Sequence, residues 1–438
     1  MIINPSFVLD MLEKVRPGLQ EIARKEADSL LMLKKAHNIE SEKLFLWDRS
    51  FYLNQQHEAD KFDTKLTMEY FELHTVVRNT LSVYETFLGI RFELVDHSRA
   101  QQLHGENALH ITWHEDVLLF LVWDVKEDGE SFLGWLYFDL YSREGKHTHH
   151  AAHFGLRKGF ERPDGTRSYP ASLLVVNQTK NVDSSPSLLT VNQVRSIFHE
   201  VGHGMHNLLS KTRFARMHGT KVDRDFVETP SLLFEHFLWK PEILRAVSCH
   251  YSHTSRDFQE HWQSAHQNEE FPSKHLSDEV IFAIVSNNES SSALLVLKQL
   301  HFALHDFTIH NPPTRDFLEK LDLCEVYNKL WVELLPLSGG EMIGKGFHWG
   351  HGGSLVRAYM CGSYDAGYYA YILGRVWALD MFESFFAGDK CMKEAGRRYR
   401  EMILKPGGSQ SEWKTLREYL GREPDPAAYF RWLGLNDK

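Results

Sequence analysis

Nothing in this chain constrains its fold more than Phe198-His199-Glu200-Val201-Gly202-His203-Gly204-Met205-His206. The stretch contains His-Glu-x-x-His, in which two imidazoles one helical turn apart can grip a single metal ion. The Glu between them then lies beside the ion's bound water. That arrangement needs a helix, and the neighbouring residues predict one. Thr190 and Gln193 have the spacing of a capping box. Val194, Ile197, Phe198, Val201, Met205 and Leu208 follow on one apolar stripe at helical period. His199 and His203 project from an adjacent face. Five letters with two free positions also occur by chance on surface helices, so the surroundings have to decide.

Composition sets the outer bounds. A chain of 438 residues can bury a large core and has room for two or three domains. With 42% hydrophobic and 25% charged residues, it has the make-up of an ordinary globular protein. A net charge of −10 and the lack of any Lys/Arg run argue against a nucleic-acid partner. The longest apolar run, about Val117 to Trp123, is too short for a bilayer. The first residues lack the basic-then-apolar order of a secretory signal. Cys249, Cys324, Cys361 and Cys391 form no CxxC pair, which suits a reducing compartment. The expectation is a soluble intracellular protein, cytoplasmic and monomeric, with no membrane partner.

Taken in order, residues 6 to 36 and then Lys65 to Leu88 have helical periodicity. After Gly89 the apolar residues fall into short runs, and Ala108–Trp113, Val117–Trp123, Gly134–Tyr141 and Ser172–Val176 read as strands. Asp128-Gly129 and Asp164-Gly165 read as hairpin turns. Gly134–Tyr141 is either the edge strand along which a peptide would lie or a core strand. Past the motif helix, Asp225-Phe226-Val227-Glu228 opens another helix with Pro230 in its first turns. The remainder reads as helical apart from Asn311-Pro312-Pro313 and the Gly-rich span Gly339–Gly367. His147 to His153 could form a second metal site but has no carboxylate in helical register. His301 and His305 sit among Leu and Phe without an adjacent Glu and read as structural.

A hydrolytic zinc site usually has three protein ligands and one open position. His199 and His203 supply two. A third His after an intervening Gly is absent, because Leu209 occupies that position. A downstream carboxylate is expected instead, and Asp223, Asp225, Glu228 and Glu235 all qualify by spacing.

The motif stretch, followed by Phe214-Ala-Arg-Met-His-Gly-Thr220 and Asp225-Phe-Val-Glu-Thr-Pro-Ser231, resembles the thimet oligopeptidase family of zinc metallopeptidases. Trp113–Val117, Phe138–Lys146, Tyr364–Tyr371 and Leu404–Ser409 echo further family segments in the same order, so the resemblance spans the chain. It implies His199, His203 and Glu228 as ligands of one zinc ion and Glu200 as general base. It implies Tyr368 and Tyr371 as donors to the developing oxyanion, with Tyr364, Gly362 and Tyr359 lining the substrate loop. Asp225 is either a carboxylate orienting a ligand imidazole or a helix N-cap.

Two departures stand out. Family members have a Phe-Gly-His before the tyrosine segment, whereas the aligned position here is Tyr359, with His351 eight residues earlier. Family members also have a helical region before the segment that matches Met1, forming one wall of their channel. A chain without that wall, whether a fragment, a shortened gene model or a natural short form, is expected to expose apolar surface and to select substrates more loosely. The expected fold is mostly α (α+β), zincin-like, with a small sheet beside the motif helix. A helical part (1–90), a sheet region (91–180), the zinc-binding helices (181–240) and a helical C-terminal part (241–438) follow one another. The expected activity is zinc-dependent cleavage of internal bonds in short, unstructured peptides. The rivals are a non-catalytic relative that binds zinc or peptide without turnover, and an aminopeptidase-type zinc hydrolase, for which no acidic exopeptidase signature is present.

Overall fold

The computed structural model describes residues 5–37, 42–59, 64–105, 111–126, 129–147, 151–180, 185–267, 269–290, 292–349, 362, 364–388 and 392–435. Helix α1 spans Pro5–His37 and continues past Pro17. A proline inside a helix costs about 3 kcal/mol. Val8, Leu12, Val15, Leu19, Ala23 and Leu30 are all buried along one face, and each large apolar side chain so covered contributes roughly 1.5–3 kcal/mol. Burial wins.

The single helix expected over Lys65–Leu88 is two: a short one over Thr64–Met68, then α2 over Leu73–Leu88. The break comes from Glu72, whose carboxylate accepts the N–H groups of His74 and Thr75 at 3.0 and 2.8 Å and starts a fresh helix. Gly89 ends α2 in the left-handed conformation, φ 66°, where glycine is the natural choice.

Five strands form one sheet: β1 (Ile90–Leu94), β2 (Val117–Lys126), β3 (Gly129–Tyr141), β4 (Ala151–Arg157) and β5 (Ala171–Gln178), in spatial order β1-β2-β3-β5-β4. The β3–β5 pair is parallel and the other pairs are antiparallel. Strand β3 is therefore central, hydrogen-bonded on both sides, which settles Gly134–Tyr141 as core and not edge. The edge beside the motif helix belongs to β4, in a region read as a histidine cluster. The strand expected over Ala108–Trp113 does not form at its described end: residues 111–113 make bends. Both sides of β2 are already taken by β1 and β3, so no pairing slot remains, and the Trp113 indole donates instead to Asp139 at 3.0 Å. The turn at Asp164-Gly165 forms, with Asp164 accepting from Thr166 N at 2.9 Å; Asp128 lies outside the described residues.

Beneath the sheet runs α3 (Val191–Leu209), opened by the Thr190/Gln193 capping box and burying Val194, Ile197, Phe198, Val201, Met205 and Leu208. The Tyr84 hydroxyl of α2 donates to Phe198 O at 2.7 Å and ties the two helices together. Across α3 lies α4 (Thr229–Leu238), with Pro230 in its first turn, where a missing N–H is tolerated. Farther along come α5 (Ser292–His310) and α6 (Ala370–Phe385). Cys249 and Cys324 form no disulfide; Cys361 and Cys391 lie outside the described residues. Among the described residues, no helix is long and apolar enough to cross a membrane.

Candidate metal centre

The helix period puts His199 and His203 on one face of α3, and their Nε2 atoms face each other at 3.1 Å. Glu228 arrives as the N-cap residue of α4, buried, with Oε2 3.3 Å from His199 Nε2 and 3.2 Å from His203 Nε2. Gly202 makes this approach possible. A Cβ at that position would meet the Ser231 Cα of α4 at 2.8 Å, so only glycine lets the two backbones cross so closely. Gly374 of α6 acts similarly from the other side, where a Cβ would lie 3.3 Å from both Glu228 Cβ and Thr229 N.

These separations suit a zinc-sized ion. Zinc bonds of about 2.0–2.1 Å directed at tetrahedral corners put neighbouring ligand atoms about 3.3 Å apart. The three separations here run from 3.1 to 3.3 Å. Two imidazole nitrogens and one carboxylate oxygen are donors that zinc accepts, and three ligands leave one position open. A second grouping, Asp322, Glu325 and His348, lies at the surface, and Asp322 is already engaged in capping Glu325 N.

The electrostatics follow from burial and proximity. Burial disfavours a charged His199, but the Glu228 and Glu235 carboxylates on either side overcome it and raise the imidazole to about 10. Burial likewise disfavours a charged Glu228, yet His203 and His199 hold its carboxyl well below the usual range. Glu235 is brought down to about 2 against the cost of burial, first by His199 and then by Arg375.

Glu235 is what orients His199: the imidazole Nδ1 donates to Glu235 Oε1 at 2.8 Å, and Arg375 Nη2 lies 3.4 Å from Glu235 Oε2. Asp225, expected to orient a ligand imidazole or to cap a helix, does neither. It lies inside the short helical turn Arg224–Val227, one residue past its first, and both of its oxygens are buried without a hydrogen-bond partner. Glu235 succeeds because it stands seven residues after Glu228, two turns along the same face of α4, so both carboxylates look at α3. That spacing was the available signal.

Glu200 is half-buried on α3. The tyrosine turn comes close to it. Tyr364 donates from its hydroxyl to Glu228 Oε1 at 2.6 Å, and Tyr371 stacks on Tyr364 with ring centroids 5.1 Å apart. Burial, and next the charge of Glu228, hold the Tyr371 phenol far above its ordinary pKa, with Glu200 adding a smaller push. Tyr368 sits edge-on against Phe302 and is pushed up to about 12 by burial. Gly362 is exposed; Tyr359 and His351 lie outside the described residues. Of the histidine cluster, residues 148–150 lie outside them too. His153 on β4 stacks on His203 with centroids 6.1 Å apart, and burial pushes its pKa well down. His301 and His305 are fully buried, and burial pushes each to about 4; His301 Nε2 donates to Tyr327 O at 2.9 Å. Both pack as core groups.

A helix carrying two imidazoles, a carboxylate from the helix crossing it and a small sheet with an edge alongside make up a zincin-like metal site. The sequence model described as Peptidase family M3 matches residues 1–435, and the chain belongs to that family. It is 36% identical to "Oligopeptidase PhomG" of Diaporthe leptostromiformis over 449 residues, covering 99% of this chain and 61% of that one. It is 33% identical to "Saccharolysin" of Saccharomyces cerevisiae, covering 100% and 57%. "Oligopeptidase A" of Escherichia coli is 29% identical, with 99% and 58% covered. The chain thus spans about three-fifths of the length of these relatives. In fold it resembles the solved structure "PZ peptidase A with inhibitor 2" (TM-score 0.50, 14% identity, covering 99% and 58%). It also resembles an M32 carboxypeptidase from Deinococcus radiodurans R1 (TM-score 0.51, 11% identity, covering 98% and 66%).

Proposed function

We propose that this chain is a zinc-dependent endopeptidase acting on short, unstructured peptides. The convergence of His199, His203 and Glu228 to within 3.3 Å of one another, with Glu200 next to His199 on the same helix, carries this reading. The names of the relatives, all oligopeptidases or saccharolysin, support the substrate class.

His199, His203 and Glu228 would hold a zinc ion. Zinc bound there would supply Lewis-acid chemistry that activates water and the scissile carbonyl. Glu200 accepts the proton of the attacking water and passes it to the leaving amine. Tyr371 donates its hydroxyl hydrogen to the oxyanion as it develops, and Tyr368 assists. Tyr371 is the principal donor in this reading because its ring stacks on Tyr364, whose hydroxyl is hydrogen-bonded to the ligand carboxylate of Glu228. Backbone groups on the outer edge of β4 pair with the extended peptide. Tyr364 and Gly362 shape the substrate loop.

The test is hydrolysis of a short quenched fluorescent peptide before and after treatment with a zinc chelator. Activity lost to the chelator and restored by zinc is the expected result. A zinc-loaded, folded chain without turnover would favour the non-catalytic rival.

A further inference from the structure

We infer that Asp306 positions the tyrosine turn against the metal ligands, a role that rests on the peptidase reading above. Asp306 is the one carboxylate in α5, and it is fully buried. A buried carboxylate is costly unless donors surround it. Here two donors come from the turn and a third from the last residue of α5. Ala366 N donates to Asp306 Oδ1 at 2.9 Å and Tyr368 N to Oδ2 at 2.8 Å, while His310 Nδ1 lies 2.7 Å from Oδ1.

The turn has a shape that needs holding. Ala366 has φ 52°, a left-handed conformation that residues with a Cβ rarely adopt without support. A second attachment faces Asp306 from across the turn: Arg224 Nη1 donates to Asp365 O at 3.2 Å, and Arg224 lies four residues before Glu228. The turn is therefore pinned between α5 and the segment that delivers the third ligand. What it carries is the pair Tyr364, hydrogen-bonded to Glu228, and Tyr371, stacked on Tyr364. Asp306 touches neither phenol. It acts on them through the two amides, as a positioning residue.

A double-mutant cycle separates this from a merely structural role. Asp306→Asn replaces one acceptor oxygen with a donor. In zinc-loaded protein it should lower kcat by about 10- to 100-fold, the usual consequence of losing a charge-assisted hydrogen bond. Zinc stoichiometry should be unchanged and KM should move less than about threefold. In a Tyr371→Phe background the same change should cost less than about threefold more, because the group being positioned is already gone. Losses that multiply in the double variant would overturn the assignment.

Amide hydrogen exchange supplies a reading that does not depend on turnover. In the zinc-loaded wild type the Ala366 and Tyr368 amides should be protected, and Asp306→Asn should speed their exchange about 10-fold or more while leaving the α3 amides as they were. Fast exchange at both amides in the wild type, or equal protection in a folded Asp306→Asn, would overturn the proposal. Absence of peptide hydrolysis by the wild type would instead strike at the peptidase reading.

Discussion

The Tyr364 hydroxyl donates to Glu228 Oε1 at 2.6 Å, while Oε2 of the same carboxylate faces His199 and His203 at 3.3 and 3.2 Å. One residue thus joins the substrate turn to the metal triad. Tyr364→Phe removes the donor and leaves the ring. Loss of a partner hydrogen-bonded to a ligand typically costs about 10–100-fold in metal affinity. Competition with a chromophoric chelator should register a loss of that order, and an unchanged affinity would show that Glu228 holds its orientation without Tyr364.

Glu235 and Asp225 should behave oppositely. Glu235→Gln weakens the support of His199 and should lower zinc affinity by about 10–100-fold. Asp225 contacts neither imidazole, and its carboxylate is buried without a partner. Asp225→Asn should leave zinc affinity unchanged and the melting temperature equal or higher, since an uncompensated buried carboxyl is removed. Parallel metal titrations of the two variants decide the matter, and a larger loss at Asp225 would reverse the assignment.

Acid stability should depend on Asp139. This carboxylate of β3 is buried, which by itself would raise its pKa. Arg143 at 2.6 and 2.7 Å, Trp113 at 3.0 Å and Lys146 at 2.9 Å outweigh burial and bring it from the ordinary 3.8 to about 2. A depressed carboxyl stabilises the fold above its unfolded pKa and loses that contribution as pH falls toward the folded one. The shift corresponds to about 2 kcal/mol, present at neutral pH and fading below about pH 4. Urea unfolding from neutral pH to about pH 3 should show a steeper loss for the wild type than for Asp139→Asn. Equal slopes would mean that the ion pairs contribute no pH dependence.

Periodicity and capping made the motif helix legible. The Thr190 box and the six apolar positions from Val194 to Leu208 describe α3 as it stands. Sheet topology was less legible, because alternation cannot tell which strand will be outermost. Strand β3 has a strand paired on each side, whereas β4, short and largely exposed, has one free edge, so the apolar run drew attention away from the strand that lies outermost. Strand β1 escaped notice because its five residues follow directly on α2 with only Gly89 between them. Residues acting over long sequence distances were hidden as well. Asp306 lies about sixty residues before the amides it holds, and Arg375 is 140 residues from Glu235. For Asp306 the one hint was an acid within an apolar helix, which must find donors somewhere.

The most direct measurement is hydrolysis of a quenched fluorescent peptide by zinc-loaded wild type and zinc-loaded Glu200→Gln, with zinc content determined on the same samples. The substitution keeps the side chain's size and removes its basicity. The expected result is one zinc per chain in both and turnover in the wild type, with a fall in the variant at or beyond the roughly 10²–10⁴-fold typical of a lost general base. Comparable turnover in the two proteins would contradict Glu200 as the base and, with it, the mechanism built around the motif helix.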